Sequence, residues 1–187
     1  EKVIVEIGIM KSPIKDLTQY QSGNAYYQKA RDEKDKTANA KNDEDKEKAR
    51  KLSLEYIQKA VEFFDLTQER SKNNDLRVQA QNRVVETWYL FNDYEGVIKE
   101  GEELIQKFPN SSYVLNAMYN IGWAYYDTKR YDQAIDTFRK LVERFPNGPM
   151  PDRALFQTGE SYYDQKKYPE AIPFYQQLVD KMRINEM

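Results

Sequence analysis

Asp127, Glu160 and Asp164 are the residues whose type and placement could carry catalysis, because neighbouring carboxylates can divide into a proton donor and a proton acceptor. The groups that would extend such chemistry are missing. With no His and no Cys in 187 residues, Ser-His-Asp and Cys-His arrangements, His-ligated metals, thiolate nucleophiles and disulfide frameworks are excluded. No phosphate-cradling glycine loop or metal-ligand cluster is present. Acidic residues on an exposed helix face are ordinarily solvated, and the pattern supplies no pocket that would raise a carboxyl pKa. The sequence therefore predicts no enzyme, no catalytic residue, no metal and no cofactor. The second chemical resource is aromatic, with 15 Tyr, 8 Phe and 2 Trp. Tyrosine offers broad apolar contact plus a hydroxyl, which suits recognition.

Length allows one ordinary domain or a short repeat array. The chain is 40% hydrophobic and 32% charged, with 29 basic and 31 acidic residues, so its net charge of −2 gives no global pull toward nucleic acid or an anionic membrane. Seven Gly and seven Pro, with abundant Ala, Glu, Lys and Gln, favour helix. No apolar run approaches the ~18–20 residues of a membrane span. The start, Glu1 to Lys11, is apolar enough for a strand or the end of a preceding helix, and it lacks the features of a signal peptide. A chain that opens without Met and closes on the tail Arg183-Ile184-Asn185-Glu186-Met187 reads as a mature product or an excised fragment.

The elements that must position these side chains emerge from self-comparison. Tyr119 to Ile135 (YNIGWAYYDTKRYDQAI) aligns with Phe156 to Ile172 (FQTGESYYDQKKYPEAI), a shift of 37 residues. Shifting back by 37 gives Asn82 to Ile98 (NRVVETWYLFNDYEGVI). Phe108-Pro109-Asn110 recurs as Phe145-Pro146-Asn147, and the pair Ala134-Ile135 recurs as Ala60-Val61, Val97-Ile98 and Ala171-Ile172, each step again 37. Tyr20 to Tyr27 (YQSGNAYY) matches Tyr119 to Tyr126 (YNIGWAYY).

These residues resemble the tetratricopeptide repeat (TPR), whose 34-residue unit is a helix-turn-helix. Its recurring positions are small at 8, aromatic at 11, Ala at 20, aromatic at 24 and Pro at 32. The third unit supplies Gly122, Tyr125, Ala134, Phe138 and Pro146, and the fourth Gly159, Tyr162, Ala171 and Tyr175. The second unit departs at Val85 and Gly101. Small residues let two helices approach while aromatics fill the space around the crossing. The resemblance implies an all-α, right-handed α-solenoid of about four helix pairs with period 37, in which stacked neighbours share a continuous core. The units fall at about 12–72, 75–110, 111–147 and 150–182.

Three extra residues lie in the connection between repeats, where Asn147-Gly148-Pro149-Met150-Pro151 has turn chemistry. The 37-residue form with a Phe-Pro-Asn turn is similar to two bacterial envelope families, the periplasmic Tol-Pal coordinator and the lipoprotein subunit of outer-membrane barrel assembly. That similarity implies a periplasmic or envelope-associated protein, with the cytoplasm as the alternative. Asn110-Ser111-Ser112 forms a glycosylation sequon at a helix start, where Ser is expected to cap exposed amides.

The first unit carries 25 additional residues, centred on the mixed-charge stretch Arg31 to Arg50. Two conformations fit. Both helices could extend by about 12 residues, a projection of ~18 Å, with Asp43-Glu44-Asp45 complementing the start of the return helix and 37–42 as a mobile tip. Alternatively the stretch is a solvated loop. Helices are expected over about 13–35, 43–70, 76–91, 94–107, 112–128, 131–144, 152–165 and 169–182, with Pro173 able to bend the last. Because no capping helix follows, further repeats or a second copy are expected to cover the final face.

In the family, positions 2, 5, 9, 12 and 13 of each first helix line a concave groove. Carried over, position 12 is Tyr27, Tyr89, Tyr126 and Tyr163, and position 5 is Tyr20, Asn82, Tyr119 and Phe156. Position 9 is Asn24, Glu86, Trp123 and Glu160, position 13 is Gln28, Leu90, Asp127 and Asp164, and position 2 contributes Arg153. The position-12 tyrosines could meet a ligand or simply pack against the next repeat. An exposed Trp123 would need a partner to explain it. The groove lacks the Lys and Arg columns of the carboxylate-clamp subclass, so it should take a basic, amide-rich or aromatic-containing peptide rather than an acidic C-terminus. Three roles follow: a non-catalytic scaffold for a protein or peptide partner, a glycan-contacting scaffold in polysaccharide export, or an architectural protein self-associating through uncapped ends. The non-basic first-helix columns argue against nucleic acid.

Overall fold

The computed structural model describes residues 12–185, so the expectation for 1–11 falls outside the described residues. Among the described residues the chain is all-α: α1 Ser12–Asn39, α2 Asp43–Arg70, α3 Asn74–Leu90, α4 Tyr94–Lys107, α5 Tyr113–Asp127, α6 Tyr131–Arg144, α7 Pro149–Asp164 and α8 Tyr168–Asn185. It divides into two compact units, one ending at Thr87 and the other beginning at Trp88.

In the first unit, α1 and α2 are each 28 residues long, about 42 Å at 1.5 Å per residue. Arg31 to Arg50 is helical apart from the turn at Ala40, Lys41 and Asn42. Asn42 caps α2 by accepting from Asp45 N at 2.8 Å, while its own amide donates to Asp45 Oδ2 at 2.8 Å. Few apolar residues are available in this stretch, so the helices close through small ones. Ala30, Ala49 and Ser53 are buried, and Ser53 Oγ donates to Ala30 O at 3.0 Å. Lower in the pair, a Cβ placed on Gly23 would lie 2.6 Å from the Phe64 ring, and Tyr26 stacks on Phe63 at 5.6 Å. The next helix starts where Asn73 Oδ1 accepts from Asp75 N and Leu76 N, two residues earlier than the expected Leu76.

The second unit repeats one construction. Its helices pair in chain order from α4 to α8. On α6 the apolar residues Ala134, Ile135, Phe138 and Leu141 fall on one face and are buried. Gly122 on α5 lies directly against the Phe138 ring, and Gly159 on α7 against Tyr175, whose ring would be 2.6 Å from an added Cβ. At Gly101 the geometry differs, since the space beside its backbone is filled by Ile121 from the following helix, 2.8 Å from a built Cβ. A side chain there would have to displace the Ile121 side chain.

The helix ends also recur. Asn92, Lys129 and Lys166, each 37 residues after the last, adopt φ of 60°, 61° and 61°. Around them Asp93 N, Arg130 N and Lys167 N donate to Trp88 O, Tyr125 O and Tyr162 O at 2.8–2.9 Å. Each of these first helices thus closes with a left-handed residue that reverses the chain and satisfies a terminal carbonyl. Phe108 and Phe145, both at φ −132°, precede proline, which disfavours the helical conformation. Arg144 donates to Pro109 O, and Lys181 repeats that link to Pro146 O at 3.5 Å.

The bounds of the last two helices and one expected cap also differ from the sequence expectation. α7 begins at Pro149 rather than 152, because Gly148 at φ 114° makes the turn and proline suits the first helical position. α8 starts at Tyr168, contains Pro173 and runs to Asn185, so most of the expected tail is helical. Ser112 makes no capping bond; the neighbouring Ser111 Oγ accepts from Tyr113 N at 3.1 Å.

Candidate partner-binding faces

In the second unit α5 presents Tyr119, Trp123 and Tyr126 at successive turns. They stack edge-to-face, with centroids 6.2 Å apart for Tyr119–Trp123 and 5.5 Å for Trp123–Tyr126. Tyr119 also meets Phe138 at 6.1 Å and Tyr126 meets Tyr131 at 5.6 Å. Trp123 is therefore half-buried at the centre of an aromatic row. Edge-to-face pairs of this kind contribute about 0.5–1.5 kcal/mol each beyond burial.

Three tyrosine hydroxyls grip the three carboxylates. Tyr89 donates to Asp127 Oδ2 at 3.2 Å, Tyr126 to Asp164 Oδ2 at 2.6 Å and Tyr175 to Glu160 Oε1 at 2.6 Å. The first two bonds both join a position-12 tyrosine to the position-13 aspartate of the next repeat. Burial, reinforced by the carboxylate each one touches, pushes all three tyrosine pKa values well above the ordinary 10.0. The hydroxyls are thus held neutral as donors, and the carboxylates are fixed in place as acceptors. That arrangement positions carboxylates beside aromatic faces.

α7 extends this surface. Phe156 is 44% and Tyr163 54% exposed, and Tyr168 packs edge-on to Tyr163 at 5.2 Å. Arg153 is exposed on the same helix. Tyr94, Tyr131 and Tyr168 start the second helices and pack against Tyr89, Tyr126 and Tyr163 in turn. Sequence reasoning missed them because it drew the face from first helices alone; their 37-residue spacing was the available signal. Tyr175, which binds Glu160, was likewise assigned only to the core.

In the first unit, Tyr20 is half-buried against Phe64 at 5.9 Å, and the half-buried Asn24 donates to Gln21 Oε1 at 3.5 Å. The ring of Tyr27 has Arg31 and Arg83 guanidinium groups 6.0 and 5.6 Å from its centroid. Asn82 is only 4% exposed, a correction to its assignment as a groove contact. Its amide lies along α3 and donates to Glu86 Oε1 at 2.7 Å, while Arg83 donates to Glu86 Oε2 at 2.8 Å. Glu86 is thus engaged within its own helix. Gln28 is exposed and donates to Asp32 at 2.9 Å, and Leu90, at the end of α3, is half-buried. The expected acidic character belongs to the Asp127, Glu160 and Asp164 side chains, whereas Tyr27 lies between arginines. Among the described residues no group of three acidic side chains could hold a metal ion, and no helix is long and apolar enough to cross a membrane.

Helix pairs crossing at a small residue packed on an aromatic, with an alanine buried one turn earlier, recur at Gly122–Phe138 and Gly159–Tyr175. Residues 119–183 match the tetratricopeptide repeat family. Solved structures extend the likeness beyond those repeats. A MamA crystal structure is 17% identical, covers 84% of this chain and 88% of its own, and superposes with a TM-score of 0.57. MamA MSR-1 is 14% identical over 92% of this chain and 99% of its own, with a TM-score of 0.55. A structure of nearly identical TPR-like repeats from Podosopora anserina is 13% identical over 95% and 99%, also at 0.55. At these identities the likeness concerns the fold, which is an all-α, TPR-like solenoid. No protein of curated function matches the chain.

Proposed function

We propose that this chain is a non-catalytic interaction scaffold that binds a basic, aromatic-containing peptide or helix on the α5/α7 face of its second unit. The observation that carries this is the row Tyr119, Trp123 and Tyr126 bordered by carboxylates already held in place by tyrosine hydroxyls. A lysine or arginine side chain would lie over a ring and accept charge pairing from Glu160 or Asp164 without reorganising either. On the likeness of the Phe-Pro-Asn turns to envelope families, we assign it to bacterial cell-envelope assembly.

Charge-swapped peptides test the binding. A short peptide carrying Lys, Arg and Trp should bind with an affinity that falls as salt rises, and its Glu-for-Lys counterpart should not bind. Equal binding of both would remove the electrostatic basis of the proposal.

A second reading, self-association through the last helix, is favoured by one comparison. Ile172 on α8 is 61% exposed, whereas Ile135, its counterpart on α6, is 6% exposed. Val179 and Met182 continue that apolar strip. Sedimentation should show concentration-dependent association that Ile172→Lys abolishes; a monomer at all concentrations would contradict it.

A further inference from the structure

The α5 helix has a second functional flank. At about 100° per residue, Met118, Ile121 and Tyr125 lie well round the helix from Tyr119, Trp123 and Tyr126. They form the floor of a cleft of about 490 Å³, with α4 on one side and α6 on the other. Its volume falls within the ~300–1,000 Å³ of ordinary ligand clefts. Ile105 of α4 completes the apolar lining. The close approach at Gly101, against Ile121, pins α4 to α5 at that part of the floor.

The rim is acidic. Glu102 projects from α4, and Asp132 and Asp136 from α6. The one basic side chain of the lining, Lys140, is engaged by Asp136 at 2.6 Å, and Lys167 lies 3.6 Å from Asp132. Both pairs are solvent-exposed, so each contributes little stability and can exchange with an incoming cation, while Glu102 has no partner among the lining bases. Beside the floor, Arg130, paired with Glu95 at 2.8 Å, holds its guanidinium 4.8 Å from the Tyr125 ring centre.

We propose that this cleft is a docking slot, separate from the α5/α7 face, for a basic segment of a protein partner: one large apolar side chain seated on Met118 and Ile121, flanked by Lys or Arg at the rim. The apolar floor selects an apolar side chain over a sugar. The acidic rim selects against acidic peptides, nucleic acid and anionic lipid. Bound on both flanks of α5, one copy of the chain would hold two segments at once.

The absence of cysteine makes a direct test available. Gln133→Cys, labelled with an environment-sensitive dye in the full chain, reports on the rim. The probe is a 14-residue amphipathic peptide of Leu and Lys at helical spacing, compared with its Glu-for-Lys counterpart. The Lys peptide should give a saturable dye response that Glu102→Lys with Asp132→Lys weakens at least tenfold while circular dichroism stays unchanged. No saturable response, an equal response to the Glu peptide, or indifference to charge reversal would overturn the proposal. In Trp123→Ala the dye response should persist; its loss would mean that the cleft does not bind independently of the α5/α7 face.

Discussion

The Tyr126 hydroxyl donates to Asp164 at 2.6 Å, and Tyr89 stands in the same relation to Asp127, one repeat earlier. Each bond links the end of one first helix to the end of the next. The same contact therefore holds the carboxylates of the candidate face in place.

Tyr126→Phe removes the donor and leaves an exposed carboxylate that water can solvate. The expected loss is about 1 kcal/mol, read as a lower urea midpoint with an unchanged slope. Tyr175→Phe should behave alike. Tyr113→Phe, on a ring that takes no part in the series, should change the midpoint by less than about 0.5 kcal/mol.

The raised tyrosine pKa values fix the sign of an alkaline effect. The unfolded chain ionises its tyrosines near 10.0, the ordinary value, while Tyr89, Tyr126 and Tyr175 hold their protons longer in the fold. Their stabilisation is complete below pH about 10 and is lost as pH rises through the higher folded values. Urea midpoints should therefore fall above pH about 10, and less steeply in Tyr126→Phe/Tyr175→Phe. Absorbance at alkaline pH should show these rings titrating after the exposed tyrosines.

Gly122→Ala places a methyl group into the Phe138 ring. Because Phe138 is fully buried and cannot swing aside, the substitution should cost about 1–3 kcal/mol. Combining it with Phe138→Leu should restore part of the loss, a non-additivity expected of residues in contact.

Lys129 is held at φ 61° with its backbone N–H bonded to Tyr126 O at 2.8 Å. Glycine adopts that conformation without Cβ strain. Lys129→Gly should stabilise the chain by about 0.5–1 kcal/mol, and Lys129→Val should destabilise it. Thermal unfolding at neutral pH reads both.

Much of the helical plan was legible because backbone approach dictates residue size. Gly122, Gly159 and the aromatics packed on them can be placed by counting, and the positions of α2, α4 and α6 follow from capping and periodicity. The candidate face was less legible. Tyr94, Tyr131 and Tyr168 lie outside the first helices, yet they pack against the column read from the sequence. Asn82 shares a column with Tyr119, but its short amide folds back onto Glu86 and leaves solvent. Arg83 was passed over because it lies one residue beyond that column, although its guanidinium reaches Tyr27. Helical spacing gives the side of a helix from which a residue starts; it does not give the neighbour that its side chain reaches.

The most direct test of the scaffold assignment uses the position of Trp123. In Trp88→Phe, Trp123 is the only tryptophan left, since the chain has two. A titration with a tryptophan-free basic peptide bearing Lys and Tyr, followed by tryptophan fluorescence, should give a saturable shift in emission. Calorimetry of the same peptide should show at least a tenfold weaker affinity in Trp123→Ala, with circular dichroism unchanged. A flat fluorescence titration, or an affinity indifferent to Trp123→Ala, would contradict binding on this face.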